Sequence, residues 1–432
     1  MEESKSTILS KIAGLEVIKD FEGASVGQDY VHNDRVFVKF REEPLVMKDG
    51  LVHNYNWHFA FGVKNHSDNA RAIEIFINCE NKSGLPHQAY LLGQRSLDLD
   101  FTPLGDIEAY TDTFKKYYVK ALVQPNETLY ISNTFFRNLK LVYGIFENIS
   151  QNPHCRKQIY GRSVEERSLF SYLYSEDGRI DNQKPLILVT SGFHPMEADT
   201  FAAEAIMEHL GTPQGKDLLK HFNFVIIPVV NPDGFFYGYN GCNAKGINLY
   251  WDFRQKDKLH APESYYLWQY ILRIRPCVYI DFHSYTFQLH RKKDSPYVKP
   301  IYFYSGKKVR QAFKKITSKL ADLHGGRRFL GELTFAPSTL SYKLTKKFNT
   351  ITYAKYHLHI RGGKEKYKRQ SVNIIDRIVH CLIDEGMLRK YDILLHPHGK
   401  AKTSIKDSVG RTMKMTWTFR LRPFIKKCLN RK

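Results

Sequence analysis

The stretch that decides the fold runs from Leu186 to Leu210 and reads LILVTSGFHPMEADTFAAEAIMEHL. Leu186 to Thr190 form an unbroken apolar run of the length and branching of a strand buried on both faces. Ser191-Gly192 closes that run, and ADTFAAEAIMEHL then strings together residues that favour a helix. A buried strand feeding a helix is the unit of an α/β domain. The rhythm continues outward on both sides: LFSYLY at 169–174 comes before it, and FNFVIIPVV at 222–230, YYLWQYILRI at 265–274, CVYIDFHSY at 277–285 and TITYAKYHLHI at 350–360 follow.

Upstream the period changes. From about Asp34 to Phe136, RVFVKF, YNWHFAFGV, AIEIFINC and ETLYIS alternate apolar and polar positions between turn-like stretches such as KNHSDNA and ENKSG. That pattern predicts an antiparallel β domain, with Tyr55, Trp57 and Phe59 as sandwich core. The polar, Pro-containing NISQNPHCRKQ places the boundary between Ser150 and Gly161. The expected division is a β-sandwich-like domain over 1–155, an α/β domain over 156–388 and a basic extension over 389–432.

Composition limits the choices further. Hydrophobic residues make up 42% of the 432 positions and aromatics 14%, enough for packed cores and too much for a disordered chain. Lys and Arg number 65 against 44 Asp and Glu, a formal net charge of +21, which predicts attraction to polyanions or acidic peptides. The extension holds thirteen Lys/Arg against Asp392 and Asp407, interleaved with Trp417, Phe419 and Phe424. It reads as a solvated basic tail or as a polyanion contact. The six cysteines, Cys79, Cys155, Cys242, Cys277, Cys381 and Cys428, include no CxxC pair, so the expected compartment is a reducing one. No secretory leader and no apolar window of about 18 residues is evident, and the expected localisation is cytoplasmic.

Three segments carry the chemistry. His194 and Glu197 stand in an H-x-x-E spacing where a strand gives way to a helix, which can bring an imidazole and a carboxylate to one ion. FNFVIIPVVNPDGFFYGYNGCNAKGINLYWDF runs from a buried strand through Asn231-Pro232-Asp233-Gly234, read as a strong turn, to Gly246-Ile247-Asn248-Leu249. In Cys277 to Tyr285 a third apolar strand ends in His283. Ligand sites assemble at the carboxyl ends of strands in open α/β sheets. Two histidines and one carboxylate with a free fourth position make a catalytic type of zinc site, one ion per chain. Asp281 and Ser284 flank His283 and are candidates to orient it.

In that order, GFHPME, NPDG, GINL and IDFHSY resemble the zinc carboxypeptidase family, and within it the cytosolic carboxypeptidase-like branch. GRSVEERSLFSYLY from Gly161 is similar to the strand that opens the family domain. The resemblance covers about residues 156–385. It implies a mixed sheet with helices on both faces, preceded by an antiparallel sandwich, with zinc held by His194, Glu197 and His283. It also implies a peptide or protein substrate, an acidic, glutamate-rich one in the deglutamylating relatives.

The same resemblance exposes departures. The family carries a Glu as general base on a late strand, and in FNTITYAKYHLHIRGG that position is Ala354. A methyl group accepts no proton. Three readings stand: natural loss of the base, an introduced Glu→Ala substitution, or a register in which Glu332, His357 or His359 is the base. Strand parity sets His357, three positions on, on the opposite face from Ala354. Gly241 stands near the family's carbonyl-polarising Arg, and Tyr250-Trp251 replace the Asn-Arg pair that grips a terminal carboxylate. Asn248, Tyr250, Trp251, Arg254 and Tyr285 are therefore the candidate substrate contacts, with Arg254 or Arg291 as replacement cations. The leading expectation is a zinc metallocarboxypeptidase-type hydrolase acting on a C-terminal or side-chain amide. The alternative is an inactive zinc-binding module for a peptide or acidic partner. A nucleic-acid contact through the extension is a third reading.

Overall fold

The computed structural model describes residues 14–43, 46–48, 51–53, 58–78, 91–103, 108–112, 116–253, 260–284, 301–303, 338–358 and 363–384, with a few positions between 311 and 320. The seven strands of the larger sheet are β1 (Cys155–Arg162), β2 (Ser168–Tyr174), β3 (Leu186–Thr190), β4 (Asn223–Ile227), β5 (Val278–Ser284), β6 (Ile301–Phe303) and β7 (Ile351–Leu358). They lie side by side in the order β1-β2-β4-β3-β5-β7-β6. The β4-β3-β5-β7 pairs are parallel, and the two outer pairs on one side and β6-β7 on the other are antiparallel, so the sheet is mixed.

Helices α1 (Leu139–Ile149), α2 (Thr200–Leu210), α3 (Pro213–Leu219) and α7 (Lys364–Asp384) bury their apolar stripes against one face of this sheet. Helices α5 (Pro262–Ile274) and α6 (Leu340–Phe348) cover the other. A further short helix, α4, is Pro232–Tyr237. Strand β3 is buried at all five positions, as its continuous apolar run requires when both faces are covered. Helix α1 precedes the expected boundary at 155/156 and gives Leu139, Val142 and Phe146 to the core of the α/β unit.

The amino-terminal part forms two five-stranded sheets around a core that includes Val36, Phe59, Phe61, Ile75 and Tyr117. Phe59 is fully buried, as its alternation predicts; Tyr55 and Trp57 lie outside the described residues. Most neighbouring strands are antiparallel, but Arg35–Lys39 and Arg71–Asn78 run parallel. Local alternation predicts strands and not their partners, so this pairing has no signature in the pattern. The two units share apolar packing: Phe101 and Phe136 of the sandwich side sit in the same core as Phe201 and Ile206 of α2. Among the described residues Cys155, Cys242 and Cys277 are free thiols, and no helix is long and apolar enough to cross a membrane.

Candidate active site and metal centre

Strands β3 and β5 are parallel and in register, with Thr190 beside Asp281, so their carboxyl ends open on one edge of the sheet. The chain leaving β3 turns through Gly192, whose φ of +67° is open to glycine at little cost, and reaches His194 and a single 3-10 turn, Pro195–Glu197. Ala198 ends that turn in the left-handed region at φ +56°, a conformation a non-glycine residue holds only at some cost. That backbone sends His194 and Glu197 toward His283 at the end of β5.

The result is a closed cluster. His194 Nδ1 is 2.9 Å from Glu197 Oε1, and His283 Nδ1 is 2.8 Å from Glu197 Oε2. All three side chains are essentially without solvent exposure, and one ligand atom from each lies within 4.8 Å of the others, close enough to hold one metal ion. On the far side of each ring, Nε2 faces an oxygen: Asp281 Oδ2 at 2.9 Å for His283, and Asn248 Oδ1 at 3.4 Å for His194. With those oxygens accepting Nε2–H, both Nδ1 lone pairs are left on the side of the Glu197 carboxylate. Two imidazole nitrogens and one carboxylate fit zinc.

The electrostatics agree with a site built for a cation. Burial alone would lower the pKa of His283, but the carboxylates of Asp281 and Glu197 outweigh it and push the ring up to about 10. Burial would likewise raise Glu197, yet the two histidines hold it well below the usual carboxylate range. Asp199, buried beside them with Gly192 N–H at 2.9 Å, is pushed up by desolvation. Asp281 is fixed in turn by Thr190 Oγ1 at 2.8 Å. The expectation that Asp281 orients His283 therefore matches a direct hydrogen bond; Ser284 ends the strand.

Several sequence candidates converge here. Asn248 caps the 3-10 turn Leu249–Trp251 by accepting Tyr250 N–H, and touches His194 with the same oxygen. Tyr250 is buried with its ring centroid 5.9 Å from that of His194 and 5.6 Å from that of His283, edge-on to the latter. Trp251 packs at right angles to Tyr250 at 4.9 Å and is half-buried against the apolar core. Arg254, Tyr285, Arg291, Glu332, His359 and the extension 389–432 lie outside the described residues.

Two expectations need correction. NPDG is not a turn: Pro232 takes the first position of helix α4, and Asn231 caps it by accepting Gly234 N–H at 3.0 Å. The Asp233 carboxylate is fully buried and accepts from Ser163 Oγ and Arg167, both at 2.7 Å, so it pins the opening strands to this helix. The parity count for His357 also fails. Ile280 pairs with Tyr353 but Phe282 with Tyr356, so Ala354 and Lys355 together oppose Asp281 in a β-bulge. The extra residue resets the alternation, and position 357 pairs with His283 on the same sheet face. Position 354 thus sits beside Asp281, two residues from His283, and also pairs with Ile301.

Sequence reasoning missed a contribution from the sandwich. The buried Glu43 carboxylate accepts the backbone N–H groups of Asn240 and, at 2.9 Å, Gly241. Arg41 donates to the Tyr237 carbonyl and lies 4.8 Å over the Tyr239 ring. The stretch around Gly241 is held from the sandwich side by a buried carboxyl group. No local signal in the sequence marks Glu43 for this.

A buried two-histidine, one-carboxylate cluster at the strand ends of a mixed α/β sheet defines the metallohydrolase type of site. The chain belongs to the zinc carboxypeptidase family, whose model matches residues 145–368. It is 32% identical to cytosolic carboxypeptidase 1 of Gallus gallus over 121 residues, 26% of this chain and 9% of that protein. With cytosolic carboxypeptidase 6 of Mus musculus it shares 32% over 99 residues, 22% of this chain and 18% of that one. The matched stretch therefore spans less than a fifth of either cytosolic relative. Carboxypeptidase A4 of Mus musculus is 25% identical over 230 residues, 50% of this chain and 52% of that protein. The metallo-carboxypeptidase of Burkholderia cenocepacia superposes with a TM-score of 0.67 at 15% identity over 86% of this chain and 100% of that one, a likeness of fold.

Proposed function

We propose that this chain is a zinc carboxypeptidase-type hydrolase whose site holds the ion through His194, Glu197 and His283 and is disabled at the proton-transfer step. The observation that carries the reading is the shared Glu197 carboxylate, 2.9 and 2.8 Å from the two Nδ1 atoms. When bound, zinc supplies Lewis-acid polarisation of an acyl oxygen and a lowered pKa for water. The protein's part is to hold the three donors dry and aligned. Asp281 fixes the His283 ring, Asn248 stands behind the His194 ring, and Tyr250 walls the cluster. A general base must then take a proton from water and return it to the leaving amine. At position 354 the side chain is a methyl group.

The substrate in this reading is a C-terminal or side-chain amide of a peptide or protein. The net charge of +21 supports an acidic one, and the names of the two cytosolic relatives support a cytoplasmic setting. Residues 156–388, with α1 and the start of β1 packed into the same unit, would carry the activity, the strands before α1 the sandwich, and 389–432 a polyanion contact.

The experiment compares hydrolysis of glutamate-, lysine- and aromatic-ended peptides by this chain and by Ala354→Glu. Activity only in Ala354→Glu is the expected result; activity in neither, with zinc bound, contradicts it. That second outcome is what a non-catalytic peptide-binding module predicts. One observation favours such a module: Tyr250 and Gly241, at positions where a substrate grip and a polarising cation are expected, are respectively buried against the histidines and tied to Glu43.

A further inference from the structure

The two histidines of the cluster are anchored unequally. His283 Nε2 meets a carboxylate, Asp281, at 2.9 Å, and that carboxylate is itself steadied by Thr190. His194 Nε2 meets a neutral amide oxygen, Asn248 Oδ1, at 3.4 Å, near the limit of a hydrogen bond. The same oxygen is shared with Tyr250 N–H at 3.1 Å. Asn248 is 5% exposed, and its Nδ2 has no hydrogen-bond partner among the described residues.

We propose that Asn248 is a positioning residue that sets the affinity of the metal site, holding the His194 arm loosely so that the ion exchanges. The proposal rests on the zinc reading above and adds to it a residue that touches no metal. An anionic acceptor behind an imidazole fixes the ring and increases electron donation from its other nitrogen, whereas an amide does both less well. The long, shared contact of Asn248 weakens the effect again. The charge balance points the same way. Glu197 already lies between the two rings and Asp281 behind one of them, so a third carboxylate in place of the amide would be tolerated chiefly when a cation is present. An amide therefore keeps the metal-free form accessible at the expense of affinity.

The test is zinc affinity by chelator competition on the full chain, with melting temperatures of the metal-free and zinc-loaded forms. Asn248→Asp is expected to bind zinc at least about tenfold more tightly, with a larger zinc-induced rise in melting temperature. Asp281→Asn is expected to bind on the order of 10- to 100-fold more weakly. Equal or weaker binding by a folded Asn248→Asp overturns the proposal. Should Asn248→Asp not fold, the charge-conserving double variant Asn248→Asp with Asp281→Asn decides. Recovery to within about threefold of the unsubstituted chain supports the proposal, and affinity that stays at the Asp281→Asn level overturns it. An unsubstituted chain that takes up no zinc overturns the zinc reading and this inference together. Equal affinities in a chain that does bind zinc overturn this inference alone.

Discussion

Glu43, in the amino-terminal sandwich, accepts the backbone N–H of Gly241 at 2.9 Å, across 198 positions of sequence. Burial raises this carboxyl to about 7, against the opposing pull of the Asn240 and Gly241 N–H groups and of Arg41. The native state then holds its proton more tightly than the unfolded chain does. The contribution to stability is complete below the ordinary carboxyl value of 4.5 and is lost as pH rises through 7. Denaturant unfolding between pH 5 and 8 should show stability falling by about 3 kcal/mol from this group. Glu263, also raised to about 7 by burial, adds a loss in the same window. Glu43→Gln should flatten the pH dependence without abolishing it. An unchanged slope would show that Glu43 does not titrate in that interval.

Arg137 joins the two units through charge. It bridges Asp100 on the sandwich side and Glu204 on α2, and its guanidinium stacks 3.8 Å from the Phe201 ring centre. Lys364 and Lys368 of α7 complete the network on the same two carboxylates. The Arg137 side chain is only 5% exposed, so removing it strands buried anions. Arg137→Ala should lower the unfolding free energy by about 3–5 kcal/mol. Arg137→Lys should recover only part of that, because an ammonium neither forks across two carboxylates nor stacks as a plane. A loss under about 1 kcal/mol in urea unfolding would mean that the two lysines already satisfy both acids.

How much of this was readable from the chain depends on how local the cause is. The apolar run 186–190, the helix after it and the histidine at the end of β5 announce themselves through strand and helix periods. GFHPME and IDFHSY accordingly mark three residues that the fold brings to one point. The bulge at Ala354–Lys355 is a pairing event between β5 and β7, so counting alternate positions along one strand put His357 on the wrong face. NPDG looked like a turn because turns and helix caps use the same residues; the Asn231 cap on Gly234 N–H and the helical run from Pro232 to Tyr237 separate the two. The parallel pair in the sandwich and the reach of Glu43 are long-range contacts with no periodic trace.

Gly192 links backbone geometry to the metal cluster. Its φ is +67°, and a Cβ there would lie 2.8 Å from the Pro228 carbonyl oxygen and 3.1 Å from Val229 Cα, both main-chain atoms with little freedom to yield. Gly192→Ala should cost about 1–3 kcal/mol and should reduce metal retention, since His194 follows two residues later. Melting temperature and zinc content of the purified variant check both halves. A variant that melts lower yet keeps full metal would confine the effect to stability.

The central claim is that His194, Glu197 and His283 form one zinc site, and metal content tests it most directly. The purified chain, with its His194→Ala and His283→Ala variants, would be dialysed against metal-free buffer, reloaded with zinc and assayed by elemental analysis with circular dichroism as the folding control. The account predicts about one zinc per unsubstituted chain and almost none in either folded variant. No zinc in the unsubstituted chain, or equal zinc in all three, would contradict it.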